Sequence, residues 1–262
     1  MPDMTWLEAI IQVLKDAQAP LTYGDIALRV SDSGYRKKIG ATPAMTVASV
    51  LSTSIRSEGD DSPFVRYSRG LYGLKEWGRG APVSEEVVDA NDAAADSAQA
   101  GLINAYGMFW RRDQINWKMS SPRIWGKQQS GSQRVDFAPQ SGVYILYDGA
   151  RVIYVGKADD TPLGRRLRDH TLDRLSGRWD RFSWFGVRGV SEDGTLNPRP
   201  TSFPPESLIS TLEALLIEGL EPPQNRRQGE GFGGLEFIQE PDPDLEAARM
   251  TQKIADLVAR NR

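Results

Sequence analysis

The chain has 262 residues, 39% of them apolar and 26% charged, and a formal net charge of −3. This balance suits one or two folded domains with real cores, and no apolar run approaches the roughly 18 residues of a membrane span. Zero cysteines exclude disulfides, a cysteine nucleophile and thiolate metal sites, and the single histidine, His170, excludes zinc sites built from several imidazoles.

The opening residues MPDMTWLEAI have no basic flank followed by a long apolar stretch, so the expectation is a cytoplasmic chain without membrane contact. Thr5 can cap a helix whose Trp6, Leu7, Ile10, Ile11 and Leu14 recur at helical spacing. Pro20 ends it, and Thr22 caps a second helix through Ile26, Ala27 and Val30. Thr42-Pro43 starts a third, running through Val47, Leu51 and Ile55 to Gly59. Residues 64–67 and 71–74 then alternate around the turn Ser68-Arg-Gly70 as a short hairpin. Three helices followed by a hairpin are the order of a winged helix-turn-helix. The stretches WLEAIIQVL, PLTYGDIA, ATPAMTVASVL and SPFVRYSRGLYGLKEW, within residues 4–77, resemble the HARE-HTH winged-helix modules of transcription proteins and restriction-type nucleases. The resemblance implies DNA binding, with Lys37, Lys38 and Arg56, and Arg66 and Arg69 on the wing, as phosphate contacts. Residues 1–78 carry nine basic and nine acidic side chains, which leaves a protein-binding winged helix open.

Residues 79–101 are rich in Ala, Ser and Asp, with one basic and five acidic side chains, and read as a flexible acidic linker. Residues 102–138 mix Tyr106, Phe109, Trp110, Trp117 and Trp125 with Arg111, Arg112, Lys118, Arg123 and Lys127. Interleaved aromatics and cations suit a nucleic-acid surface, with Arg111 and Arg112 as contacts. A bridging segment packing its tryptophans onto the next domain is the alternative. Residues 102–190 carry fifteen basic and eight acidic groups, whereas residues 191–262 carry seven and thirteen. A basic centre between acidic flanks fits a local phosphate-binding surface, and equally a solvated face with chance clustering.

From Ser141 the pattern becomes a β-hairpin, Gly142–Tyr147 and Val152–Gly156 around Asp148-Gly149. A basic helix opens at Leu163, a strand follows at 182–186, and Ser207 caps an amphipathic helix to Leu220, stopped by Pro222-Pro223. Phosphodiester hydrolysis needs an oriented water, a base, a cation for developing charge and often a carboxylate-held metal. Tyr144, Tyr154, Lys157, Arg166, His170 and Glu213 are candidates for these roles, and Arg166 and His170, four apart, share a helix face.

The same segment resembles the GIY-YIG nuclease domain. Gly142-Val-Tyr144 and Tyr154-Val-Gly156 match its two tripeptides, with Val143 and Val155 replacing isoleucine. Lys157 follows the second tripeptide, Arg166 and His170 lie in the basic helix, Glu213 matches the metal-binding glutamate and Asn225 the terminal asparagine. The resemblance implies that Glu213 holds one Mg²⁺ or Mn²⁺ and that Tyr144 serves as general base or orients the water, with His170 hydrogen-bonded nearby. It further implies that Arg166 clamps the scissile phosphate, Tyr154 positions an oxygen and Asn225 buttresses the site.

The whole is expected to be an α+β chain. A winged helix-turn-helix (1–78) is joined by the linker (79–101) and bridging segment (102–138) to a small GIY-YIG α+β domain (139–240). That domain has a short central antiparallel sheet flanked by helices, and a C-terminal helix (241–262) follows. The function so implied is a metal-dependent DNA endonuclease of restriction or phage-defence type, targeted by the winged helix. The alternatives are a transcription-associated regulator with a silent nuclease-like domain, or a repair or mobile-element nuclease. Cutting both strands would need a homodimer or sequential nicking. The stripe of Leu245, Ala248, Ile254, Leu257 and Val258 is expected to pack on its own domain rather than dimerise.

Overall fold

The computed structural model describes residues 3–68, 70–80, 102–200, 211, 215 and 234–260. Helix α1 (Trp6–Ala17) starts at a reciprocal capping box. The Thr5 hydroxyl accepts from the Glu8 N–H, and the Glu8 carboxylate accepts from the Thr5 N–H at 2.9 Å. Thr22 caps α2 (Tyr23–Asp32), its hydroxyl accepting from the Asp25 N–H at 3.1 Å. Pro43 takes the first position of α3 (Pro43–Glu58), where its missing N–H costs nothing. Strands β1 (Leu21–Thr22), β2 (Phe64–Ser68) and β3 (Leu71–Leu74) pair antiparallel in the order β1-β3-β2. Ile10, Leu14, Ile26, Val47 and Leu51 from the helices meet Phe64, Tyr72 and Leu74 in one core. The predicted winged helix is therefore formed.

The remaining strands are β4 (Ala105–Arg111), β5 (Trp125–Lys127), β6 (Val135–Asp136), β7 (Gly142–Asp148), β8 (Arg151–Ala158), β9 (Arg181–Gly186), β10 (Leu235–Glu236) and β11 (Ile238–Gln239). Between β8 and β9 lies α4 (Leu163–Asp169), and α5 (Pro243–Arg260) closes the chain. Five strands form a sheet in the order β10-β4-β9-β7-β8, antiparallel except for the β10–β4 pair. Strands β11, β5 and β6 form a small second sheet. Side chains alternate along β7 as the pleat requires. Tyr144 and Leu146 enter a core with Trp110, Phe137, Phe182, Trp184 and Leu167, whereas Ile145 and Tyr147 enter another with Ile103, Tyr106 and Phe185. The architecture is mixed α+β, with a five-stranded sheet where a shorter one is expected from sequence.

Two expectations are corrected. Residues 102–138 do pack Trp110 and Trp117 onto the following domain, but as part of its sheet rather than as a bridge. Ala105–Arg111 is an interior strand between β9 and β10, because Tyr106 and Trp110 fill the two cores that the sheet must close. The second concerns α5, whose stripe is not packed on the domain. Of the expected residues Leu245 is half-buried, but Ala248 is exposed and Ile254, Leu257 and Val258, with Met250 beside them, are more than half exposed. Arg249 ties the helix down by donating to the Asp113 carbonyl at 2.6 Å. The linker stretch 81–101 lies outside the described residues.

The winged helix docks on the sheet domain through the loop between α2 and α3. The Ala41 N–H donates to the Glu192 carbonyl at 3.0 Å, and the Gln133 N–H donates to the Gly40 carbonyl at 2.8 Å. Ala41, fully buried, joins the larger sheet core, with Met45 packed against it.

Trp110 stands edge-on to Phe137, Phe182 and Trp184 and donates its indole N–H to the Phe237 carbonyl at 3.1 Å. Trp110→Ala leaves a large cavity and an orphaned carbonyl. A loss of about 3–5 kcal/mol is expected in urea denaturation followed by circular dichroism.

Candidate active site

The two tripeptides face each other across the β7–β8 hairpin, where Tyr144 pairs with Gly156 and Leu146 with Tyr154. Gly156 has a steric reason to be glycine. A Cβ there would lie 2.4 Å from both Cζ and Oη of Tyr144. Gly142 has another, since its Cβ would fall 1.9 Å from the Phe185 carbonyl oxygen on β9. The glycines that open and close the two tripeptides thus let backbones and one phenol ring approach closely.

Tyr144 is fully buried, and its hydroxyl lies 2.8 Å from Nε2 of His170. His170, the C-cap of α4, is itself buried, and its ring meets the Tyr154 ring edge-on at 4.8 Å. Nδ1 of His170 lies 2.7 Å from Oδ2 of Asp173. Asp173, not among the residues expected from sequence, is the one added member of the cluster among the described residues. Its spacing to His170 is the signal that could have found it, since i,i+3 groups meet at a helical turn. Burial pushes the Tyr144 phenol up to about 12; the nearby Arg166 guanidinium opposes the rise and Tyr154 adds to it. For the Asp173 carboxyl, burial acts upward, but the Leu175 N–H and His170 outweigh it and hold the group below the ordinary carboxylate range.

The arginines of α4 separate by partner. Arg165 pairs with Asp169 at 3.2 Å, and Arg168 donates to the Met119 carbonyl at 2.9 Å. Arg166 donates Nε to the Lys157 carbonyl at 3.2 Å and lies beside Tyr144, which distinguishes it from its neighbours. Lys157 is exposed, 3.9 Å from Asp159. Tyr144, Tyr154, Arg166 and His170 are therefore brought together, with Lys157 joined to them through its backbone. Such a cluster can hold an anion's oxygens and move a proton between phenol and imidazole.

Glu213, Asn225 and Arg69 lie outside the described residues. In the predicted 207–220 helix, Thr211 is buried and Leu215 packs against the core that holds Ile145 and Tyr147, on the sheet face opposite Tyr144. Among the described residues no group of three or more His, Asp or Glu could hold a metal ion. Asp173, the carboxylate of the cluster, is occupied by His170 and by the Leu175 N–H at 2.7 Å. Glu213, the residue expected to hold the metal, is not among the described residues.

The expected nucleic-acid contacts also divide. Lys37, Lys38, Arg56 and Arg66 are exposed on the winged helix. Arg66 donates to the Ser68 carbonyl and lies 6.0 Å over the Tyr72 ring. Arg111 forms an ion pair with Asp113 at 2.8 Å, and Arg112 stacks 4.7 Å over Trp179. Arg123 and Arg134 both stack on Trp125. The aromatic and basic residues of 102–138 largely satisfy one another or the core, so most do not form the free stacking platform expected of them.

Residues 4–77 match the HARE-HTH family, a helix-turn-helix domain described from ASXL proteins and restriction endonucleases, over the stretch that forms α1 to α3 and the hairpin. No curated protein and no solved structure matches the chain.

Gly156→Ala should force the Tyr144 ring away from His170. A cost of about 1–3 kcal/mol in thermal unfolding is expected from overpacking, with a shift of the single histidine's NMR resonances. Unmoved resonances would show that Tyr144 keeps its place without the glycine.

Proposed function

We propose that the chain is a DNA endonuclease of the GIY-YIG type, hydrolysing phosphodiester bonds with Mg²⁺ or Mn²⁺ and targeted to DNA by its winged helix. The observation that carries this reading is the buried Tyr144–His170 hydrogen bond beside Tyr154 and Arg166, built from the paired tripeptides. Arg166 is the cation for the phosphate, because its guanidinium can bridge two anionic oxygens. Tyr144 orients the attacking water and takes its proton, and Tyr154 positions a phosphate or water oxygen. Glu213 would hold the metal, whose chemistry is charge neutralisation at the phosphate. Asn225 would buttress the site.

DNA binding is supported by the HARE-HTH match, with Lys37, Lys38, Arg56 and Arg66 as exposed phosphate contacts. A restriction or phage-defence role follows from joining such a module to a nuclease. The competing readings are a DNA-binding regulator with a silent second domain and a repair or mobile-element nuclease. In this proposal a second copy supplies the second cut, and the exposed stripe of α5 is the surface for it. Met250, Ile254, Leu257 and Val258 recur at the spacing of one helix face, so two copies of α5 pairing there would take all four side chains out of water.

The test is incubation with plasmid and phage DNA, modified and unmodified, with Mg²⁺, Mn²⁺ or EDTA. Metal-dependent fragments are expected, with Arg166→Ala reducing the rate by about 10²–10³-fold or more. Glu213→Ala and Tyr144→Phe should likewise abolish cutting while DNA binding persists in a gel-shift assay. Binding without cleavage under every metal would favour the regulator.

Ile254→Glu combined with Leu257→Glu should yield monomers in sedimentation at concentrations where the parent chain is dimeric. A monomeric parent chain would remove the dimer from the proposal.

A further inference from the structure

We propose that Asp173 is a positioning residue that fixes the tautomer of His170, so that Nε2 takes the Tyr144 hydroxyl proton as Tyr144 receives one from the attacking water. The inference rests on the nuclease reading for its chemistry, but its geometry is independent of that reading. A carboxylate oxygen 2.7 Å from Nδ1 can only accept, so Nδ1 carries the hydrogen, and in the neutral imidazole Nε2 presents its lone pair. To the neutral ring, the Tyr144 hydroxyl at 2.8 Å is then the donor to Nε2. This orientation leaves the lone pairs of Oη as acceptors for a water O–H.

The step balances without a free phenolate. A lone pair of the water oxygen forms the new P–O bond, the bond to the leaving oxygen breaks, and that oxygen keeps the electron pair and is protonated by solvent. The water's proton passes to Oη of Tyr144, and the phenol's own proton passes to Nε2 of His170. The resulting imidazolium is held by the Asp173 carboxylate. Nothing is oxidised or reduced. A concerted relay answers the problem set by burial. With a phenol pushed up to about 12, only about one chain in 10⁵ would carry phenolate at pH 7. Groups facing His170 are Tyr144 from β7, Tyr154 from β8 and Asp173 from its own turn, with Arg166 of α4 beside Tyr144.

Asp173 also has a structural duty, since Oδ1 accepts the Leu175 N–H at 2.7 Å. Asp173→Asn separates the two roles. The retained Oδ1 can still cap the turn, while an amide N–H placed against Nδ1 makes that nitrogen the acceptor and moves the hydrogen to Nε2. Because His170 is the chain's single histidine, ¹⁵N-histidine NMR of the full chain reads the tautomer of this one ring, with or without DNA cleavage.

The expected result is an Nδ1–H tautomer in the parent chain and Nε2–H in Asp173→Asn. In cleavage assays kcat should fall by about 10²–10⁴-fold with KM little changed. An Nε2–H tautomer in the parent chain overturns the assignment without any variant. A flipped tautomer with undiminished kcat overturns the catalytic role. If the tautomer flips as expected but neither protein cuts any DNA, the positioning role of Asp173 stands and the nuclease reading falls.

Discussion

The register of β7 between β8 and β9 is the constraint on which the site depends. Tyr144 pairs with Gly156 on one side and Trp184 on the other, so its ring is directed into the larger core where His170 waits at the end of α4. A slip of one residue would turn Tyr144 to the opposite face and bring Val143 or Ile145 in its place. Both glycines guard the register, because a side chain at 142 would strike the Phe185 carbonyl and one at 156 would strike the phenol. Strand pairing, ring placement and the hydrogen bond to His170 therefore stand or fall together.

The second organising contact is between the two units. The loop before α3 is tied to the sheet domain by backbone hydrogen bonds at Gly40 and Ala41, and the Ala44 N–H in the first turn of α3 is 3.4 Å from Oε1 of Gln128. Ser31 and Ala27 of α2 add contacts to Ser130 and Gln129. In helix-turn-helix proteins the N-terminal residues of the recognition helix are the ones that meet base edges. Here that end of α3 is committed to an internal contact, while the far end with Arg56 and the wing with Arg66 remain exposed. The fold thus presents the winged helix to a partner from a restricted set of directions.

The fate of the aromatic and basic stretch at 102–138 shows why composition misleads. Arginine and tryptophan attract one another wherever they meet, on a nucleic acid or within a protein. Trp125 takes Arg123 and Arg134, Trp179 takes Arg112, and Trp110 disappears into the core. Nothing in the order of residues distinguishes a cation waiting for phosphate from one already seated on a ring. The α5 stripe misleads in the opposite direction, since amphipathic spacing shows that a face is apolar without saying what covers it.

Local signals were sufficient for the winged helix, because its caps at Thr5 and Thr22, Pro43 and the hairpin turn each act within a few residues. They also marked Tyr144, Tyr154, Arg166 and His170, whose positions follow from a hairpin and one turn of helix. What the sequence by itself determined is therefore the winged helix, the β7–β8 hairpin, β9, α4 and α5, and the chemistry carried on them. The tertiary structure alone decided that β4 and β10 complete the sheet and that the Tyr144 phenol, the His170 ring and the Arg166 guanidinium meet in one cluster. These depend on contacts between segments distant in sequence, where strand pairing and packing decide which atoms come within reach.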